Sequence, residues 1–379
     1  MAGSPITLEI NGVDLSEKLV SISSQVSQAL LVGLPEGDSL LLATAGQQQR
    51  QLRLTNYPLS GPIISGPHEA PFYCQTSEFK KVNGEMFGTG PESGCEGPVQ
   101  TDYVYYSTEQ QAFVPYKLTF GVLPPVDMAE LVSEDGESRP FIVRVETGVV
   151  NRAIYEIAML HDPVDPDPGP WTRSAGWNGK LVYTHGGGCR SGWFQQGTAT
   201  GGVLRKELLE RGYALASSTL NVFGQNCNDL LASETHIMVK ERFIERFGEP
   251  LYTIATGKSG GSYQSHQTAD NYPGVFDGII VGLSFPDVTS STIFTVSDSR
   301  LLHHYFTQTS PESFTEEQQR AVAGFGVWDS IANLARSAAR LDPIYTPGGE
   351  AEEQGGEVSV AELEDRRYSR SDGNGVRAT

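Results

Sequence analysis

Five residues constrain this chain more than any others. Gly257-Lys258-Ser259-Gly260-Gly261 stands between an apolar, strand-like run at 251–256 and a helix-compatible stretch at 261–271. A chain that passes directly from a strand into a helix must turn sharply, and the residue at the turn takes a backbone conformation that only small neighbours leave room for. A serine held there presents its hydroxyl clear of the sheet edge, as a nucleophile requires. The pattern alone is weak, because 42 glycines make G-x-S-x-G a frequent accident. A second segment strengthens it: residues 177–184 read as a strand, and His185-Gly186-Gly187-Gly188 follows at once. Glycine amides placed directly after a strand can face a developing oxyanion, so Gly187, Gly188 and Gly260, the residue after the serine, are the candidate donors. Two such motifs in this order predict an acyl-transfer site at Ser259, against a bland alternative of two structural glycine turns.

The surrounding pattern predicts the fold. Up to about residue 125 the chain reads as all-β, with short strand candidates at 6–10, 29–32, 39–43 and 51–55 separated by Gly, Pro, Asn and Asp. That spacing suits a small sandwich-like module. Runs at 141–145 and 153–159 form a strand pair joined by 146–148, and then strands at 180–184, 213–217, 251–256 and 277–281 alternate with helices near 202–211, 230–247 and 261–271. Such alternation predicts a mainly parallel sheet covered on both faces, and the serine turn and glycine loop together suit an α/β-hydrolase-type sheet. In the 230–247 helix, Leu230, Ile237 and Ile244 recur at seven and Val239, Phe243 and Phe247 at four, making one apolar face that Gly248 and Pro250 terminate. Lys240, Glu241, Arg242 and Glu245 read as its solvated side, while Arg144, Glu146, Asn151 and Arg152 suit either a pocket lining or a surface hairpin. From Gly348 periodicity is lost, which predicts an acidic tail or mobile loop. The expected division is a β-rich module at 1–125, an α/β-hydrolase core at 126–347 and a tail at 348–379.

Charge and cysteines bound the setting. The 379 residues carry a net charge of −19, which argues against nucleic acid or an anionic membrane as partner. No apolar run approaches the ~20 residues that span a bilayer. No His-x-x-x-His or Cys-x-x-Cys spacing suggests a metal, and no cofactor is implied. Four cysteines allow three pairings. In a sheet of this type the third and fourth strands are neighbours, so the loops bearing Cys189 and Cys227 should lie side by side. The expected pairs are therefore Cys74–Cys95 and Cys189–Cys227, in an oxidising compartment; the alternative is four buried thiols in a cytosolic protein. The first residues do not form a signal peptide, although a secreted or periplasmic location follows from the disulfides.

The block from Gly257 through Ser262-Tyr263-Gln264, continued by Asn271-Tyr272-Pro273-Gly274-Val275-Phe276-Asp277-Gly278, resembles the tannase and feruloyl esterase family. Closer still, segments at 142–146, 151–152, 186–189, 226–229 and 259–262 resemble an uncharacterised family of exported bacterial α/β-hydrolase-like proteins. The resemblance implies hydrolysis of a small-molecule or polymeric ester. Two departures stand out: Lys258 occupies a position where tannases carry a cysteine, and relatives run longer, so the sheet is expected to be incomplete at its C-terminal end. A triad in such folds runs Ser, then Asp or Glu, then His. After Ser259 the sequence offers Asp287, His303 and His304 as candidate acid and base, His266 lying on a helix that leads away from the serine. The competing expectation is a truncated or vestigial protein that binds on this fold without catalysing.

Overall fold

A computed structural model describes residues 5–68, 70, 72–88, 95–119, 121–132, 136, 138–189, 195–285 and 293–336; Asp287 and the tail at 348–379 lie outside them. Toward the N-terminus, β1 (Ile6–Ile10), β2 (Val13–Asp14), β5 (Gly37–Ala45) and β6 (Gln48–Asn56) make one antiparallel sheet in the order β2-β1-β5-β6. β3 (Leu19–Ser21) and β4 (Ser27–Ala29) form a separate two-stranded sheet.

β7 (Gln100–Ser107) and β8 (Ala112–Tyr116) fall within the stretch read as part of that module, yet they pair into the central sheet. β9 (Glu130–Val132) and β10 (Ser138–Pro140) pair with each other. β11 (Ile142–Val150), β12 (Ala153–Leu160), β13 (Lys180–Thr184), β14 (Ala214–Ser218), β15 (Tyr252–Lys258) and β16 (Gly278–Gly282) complete the central sheet, ordered β16-β15-β13-β14-β12-β11-β7-β8. Only β13–β14, β13–β15 and β15–β16 pair in parallel, so the sheet is mixed and not mainly parallel. The reason is connection length: β7–β8 and β11–β12 are joined by tight turns, which can only link antiparallel strands. The turn between β11 and β12 also lies later than 146–148. It is Asn151-Arg152, with φ of 50° and 62°, the positive pair that a two-residue hairpin turn requires. Gly148 stays inside β11, where a Cβ would come 2.6 Å from the Tyr155 hydroxyl.

Helices cover both faces. On one, α2 (Asp229–Phe247) and α3 (Gly260–Asn271) bury Val239, Phe243, Phe247, Tyr155, Ile157, Leu181, Tyr183 and Ala255. On the other, the short α1 (Lys206–Leu209) helps bury Val104, Val143, Val145, Val182 and Leu215. Asn228 caps α2 by accepting from the Leu231 amide at 3.0 Å, and Gly248 ends it at φ 92°. The buried stripe is Val239–Phe243–Phe247, spaced by four, whereas Leu230 is 45 % exposed, because a seven-residue repeat drifts off the face of a straight 3.6-residue helix. Arg242 is half-buried and turned inward: with Arg246 it reaches Glu146 of β11, at 3.1 and 3.3 Å, and Glu146 also meets Arg144 at 3.4 Å. Arg144 and Glu146 are thus neither pocket lining nor surface hairpin, being 2 % and 0 % exposed beneath α2.

Beyond β16, α4 (Ile293–His304) runs into a π-helical turn at Tyr305–Thr309, followed by α5 (Glu316–Ala323) and α6 (Asp329–Arg336), which packs along α4. Among the described residues no strand pairs with the outer edge of β16, and no helix is long and apolar enough to cross a membrane.

Candidate active site

β15 ends at Lys258 and α3 begins at Gly260, leaving Ser259 to make the turn alone at φ 56°, ψ −124°. A side-chain-bearing residue at positive φ is strained by about 1–3 kcal/mol, a state that persists only where the surroundings enforce it. They do so here: a Cβ on Gly257 would lie 2.7 Å from the Gly261 carbonyl carbon, so only glycines let strand and helix ends approach this closely. The Ser259 amide donates to the Gly282 carbonyl at 3.2 Å, and the Ser259 carbonyl accepts from the Tyr263 amide at 3.1 Å. The serine itself is exposed.

The segment His185–Gly188 leaves the end of β13, the strand beside β15, and lies across this turn. A Cβ on Gly187 would sit 3.7 Å from the Ser259 Cβ, and one on Gly260 would come 1.8 Å from the Gly188 carbonyl oxygen. The contact between loop and elbow is therefore backbone against backbone. Among the described residues, the amides of Gly187, Gly188 and Gly260 donate to no acceptor. Gly260 is also the first residue of α3, whose N-terminal dipole end favours negative charge. Three unpartnered amides beside an exposed hydroxyl can accommodate an oxyanion on an atom bonded to that hydroxyl.

The loop is held from several directions. The His185 amide donates to Thr256 at 2.9 Å, the Gly186 amide to Asn221 at 3.0 Å, and the Gly224 amide to the Gly187 carbonyl at 2.7 Å. From α3, Gln264 Nε2 donates to the Gly186 carbonyl at 3.1 Å, and Ser265 Oγ lies 2.6 Å from His185 Nδ1. His185 is buried, packed on Tyr183, His236 and Phe276, and burial pushes its imidazole down to about 3. It is neutral and turned beneath the loop. His236, which the sequence did not single out, is buried against it and held well below the usual histidine range by burial. Cys189, directly after the loop, is disulfide-bonded to Cys227 beside the α2 cap, with Cα atoms 5.0 Å apart; Cys74 and Cys95 form the second bridge, at 4.8 Å. The 73–75 segment next to that bridge meets residues 195–197 through the Gln75 and Gln196 side chains, at 2.6 and 2.9 Å.

The candidate bases make no hydrogen bond to the serine among the described residues. The His303 ring faces Trp328 at 6.2 Å, and His304 is exposed. Asp287 lies outside the described residues, and His266 is exposed on α3. No group of three or more His, Cys, Asp or Glu among the described residues is placed to hold a metal ion. The inward struts Gln264 and Ser265 were missed by sequence reading; their only signal is that they sit five and six residues after the serine, on the face of α3 that turns toward the glycine loop.

Over residues 2–379 the sequence matches the model of a tannase-like family of unknown function (DUF6351). No curated protein matches it. Among solved structures, the chain is similar to tannin acyl hydrolase from Aspergillus niger at 15 % identity and a TM-score of 0.29, over 54 % of this chain and 35 % of that one. It is similar to juvenile hormone esterase from Manduca sexta at 16 % identity and a TM-score of 0.24, over 48 % of this chain and 35 % of that one. For a peroxisomal alpha-beta-hydrolase from Saccharomyces cerevisiae the values are 12 % and 0.24, over 61 % and 62 %. The chain thus spans about a third of the first two proteins and under two thirds of the last. By its full-length match, it belongs to the tannase-like family of unknown function.

Proposed function

We propose that this protein is a serine hydrolase of carboxylic esters, built on an α/β-hydrolase-type sheet, with Ser259 as nucleophile. One observation carries the reading: Ser259 stands at φ 56° between β15 and α3, with Gly187 packed against it and three amides left without acceptors beside it. Topology supports it. β14 lies on one side of β13 and β15 on the other, so the chain reverses direction across β13, and the crevice at the carboxyl ends of such strands is where open α/β sheets take ligands.

In this reading Ser259 Oγ attacks the ester carbonyl carbon and its proton passes to a base. The tetrahedral oxyanion is held by the amides of Gly187, Gly188 and Gly260. Collapse expels the alcohol and leaves an acyl-serine, which water then cleaves. His303 or His304 as base and Asp287 as acid are the assignments to test by substitution. The substrate is a small or polymeric ester, and the two disulfides fit secretion or a periplasmic site. A second reading, a binding protein on this fold that catalyses nothing, rests on the absence of a base hydrogen-bonded to Ser259 among the described residues.

A fluorophosphonate probe separates the two. The wild-type chain should be labelled and Ser259→Ala should not; equal labelling of the two would remove Ser259 from the proposal, and no labelling of either would favour the binding protein.

A further inference from the structure

Gln264 is 1 % exposed, and its two polar ends are treated unequally. Nε2 donates to the Gly186 carbonyl at 3.1 Å, while Oε1 is buried with no partner. A buried acceptor without a hydrogen bond is costly, and an apolar side chain of similar length would avoid that cost. That side chain would in turn leave the Gly186 carbonyl without its donor, so the two costs are similar and stability alone does not single out glutamine here. What it gains is the bond to Gly186.

The consequence follows from peptide geometry. Carbonyl and N–H of one trans peptide unit point in opposite directions. The Gly186 carbonyl shares its plane with the Gly187 amide, and the Gly187 carbonyl shares its plane with the Gly188 amide. Gln264 holds the first carbonyl and the Gly224 amide holds the second, so both N–H groups are turned away from their anchors. Ser265 adds a strut. Its hydroxyl donates to the Gly261 carbonyl at 2.7 Å, which leaves the oxygen to accept from His185 Nδ1–H. Helix α3 thus carries the serine turn at its start and grips the glycine loop one turn further on.

We infer that Gln264 is a positioning residue that sets the aim of the Gly187 amide toward the carbonyl attacked by Ser259, with the Ser265–His185 bond fixing the base of the same loop. The inference rests on the esterase reading for its catalytic meaning, but its structural content is independent of that reading.

The test uses the full chain with Gln264→Met and Gln264→Glu. Methionine matches the side-chain length without a donor. Its melting temperature should change little, one acceptor without a donor replacing another, while the second-order rate of fluorophosphonate labelling at Ser259 falls about 10- to 100-fold. Glutamate supplies a donor only when protonated, so its labelling rate relative to wild type should climb as pH falls from about 8 to about 5; a merely structural role gives no such profile. Crystal structures of wild type and Gln264→Met should differ in the orientation of the 186–187 peptide. Wild-type labelling by the methionine variant, a flat pH ratio for the glutamate variant, or an unturned peptide would each overturn the inference. If the wild-type chain is not labelled at Ser259, the esterase reading fails by itself, and the peptide orientation still decides whether Gln264 sets the amide.

Discussion

Glu156 of β12 is 6 % exposed and takes a hydrogen bond from Thr200 Oγ1 at 2.5 Å, with burial pushing its carboxyl from 4.5 up to about 6. The folded chain therefore holds a proton on Glu156 between pH 4.5 and 6 that the unfolded chain has released. Stability falls as pH rises through that window, and the full penalty stands above it. Glu156→Gln keeps an acceptor for Thr200 and removes the charge, so it should stabilise by about 2 kcal/mol at pH 8 and by almost nothing at pH 4. Urea denaturation of both proteins at the two pH values checks this; an equal gain at both would mean that charge burial is not the cause. At this scale, legibility divided by locality. Ser259 and Gly187 sit in contiguous motifs, so the strand–turn–helix around the serine and the glycine run could be read directly, although distant partners hold the glycine loop in place. Gln264, Ser265, Glu156 and His236 act through partners 32 to 80 residues away, and no local pattern marks a buried polar residue from a solvated one.

The disulfide between Cys189 and Cys227 joins two elements, the end of the glycine loop and the start of α2. Replacing both cysteines with serine frees a closed loop of sequence separation 38, and should cost about 2–4 kcal/mol of stability. Its effect on the site should exceed that. The cross-link begins one residue past Gly188, so its loss widens the range of loop positions even in the folded state. Labelling of Ser259, measured well below both melting temperatures, should slow in the double variant; an unchanged rate would show that the hydrogen bonds donated by Gln264 and Gly224 and accepted by the Asn221 carbonyl suffice. The elements themselves show where pattern reading works. The alternation from β13 to β16 was legible where the crossovers α2 and α3 are helical in period, whereas the helix expected at 202–211 shrinks to the four residues of α1. β7 and β8 were not assigned to the central sheet, because a period of two identifies a strand without naming its neighbour; that is decided by packing against β11. Arg242 looked solvated because its partner, Glu146, is 96 residues away on a strand.

Two opposing surface properties meet in the molecule as a whole. The net charge of −19 repels one copy from another, strongly at low ionic strength and weakly once salt shortens the screening length to a few ångströms. Against this, β16 is the outermost strand of the central sheet, with no strand on its outer edge among the described residues. Ile280 within it is 70 % exposed and Leu283 just beyond it 72 % exposed. An apolar edge strand is a template for pairing, and two copies related by a twofold axis can join such edges antiparallel. Charge should therefore keep copies apart in dilute buffer, and salt should permit edge-to-edge association. Sedimentation velocity should show monomer at about 20 mM salt and dimer or larger species at about 0.5 M. Ile280→Lys places a charge on the edge where a partner strand would lie, and should keep the chain monomeric at both concentrations with little change in melting temperature. Association of Ile280→Lys equal to that of wild type would move the contact elsewhere, and a wild-type monomer at high salt would show that the edge is covered.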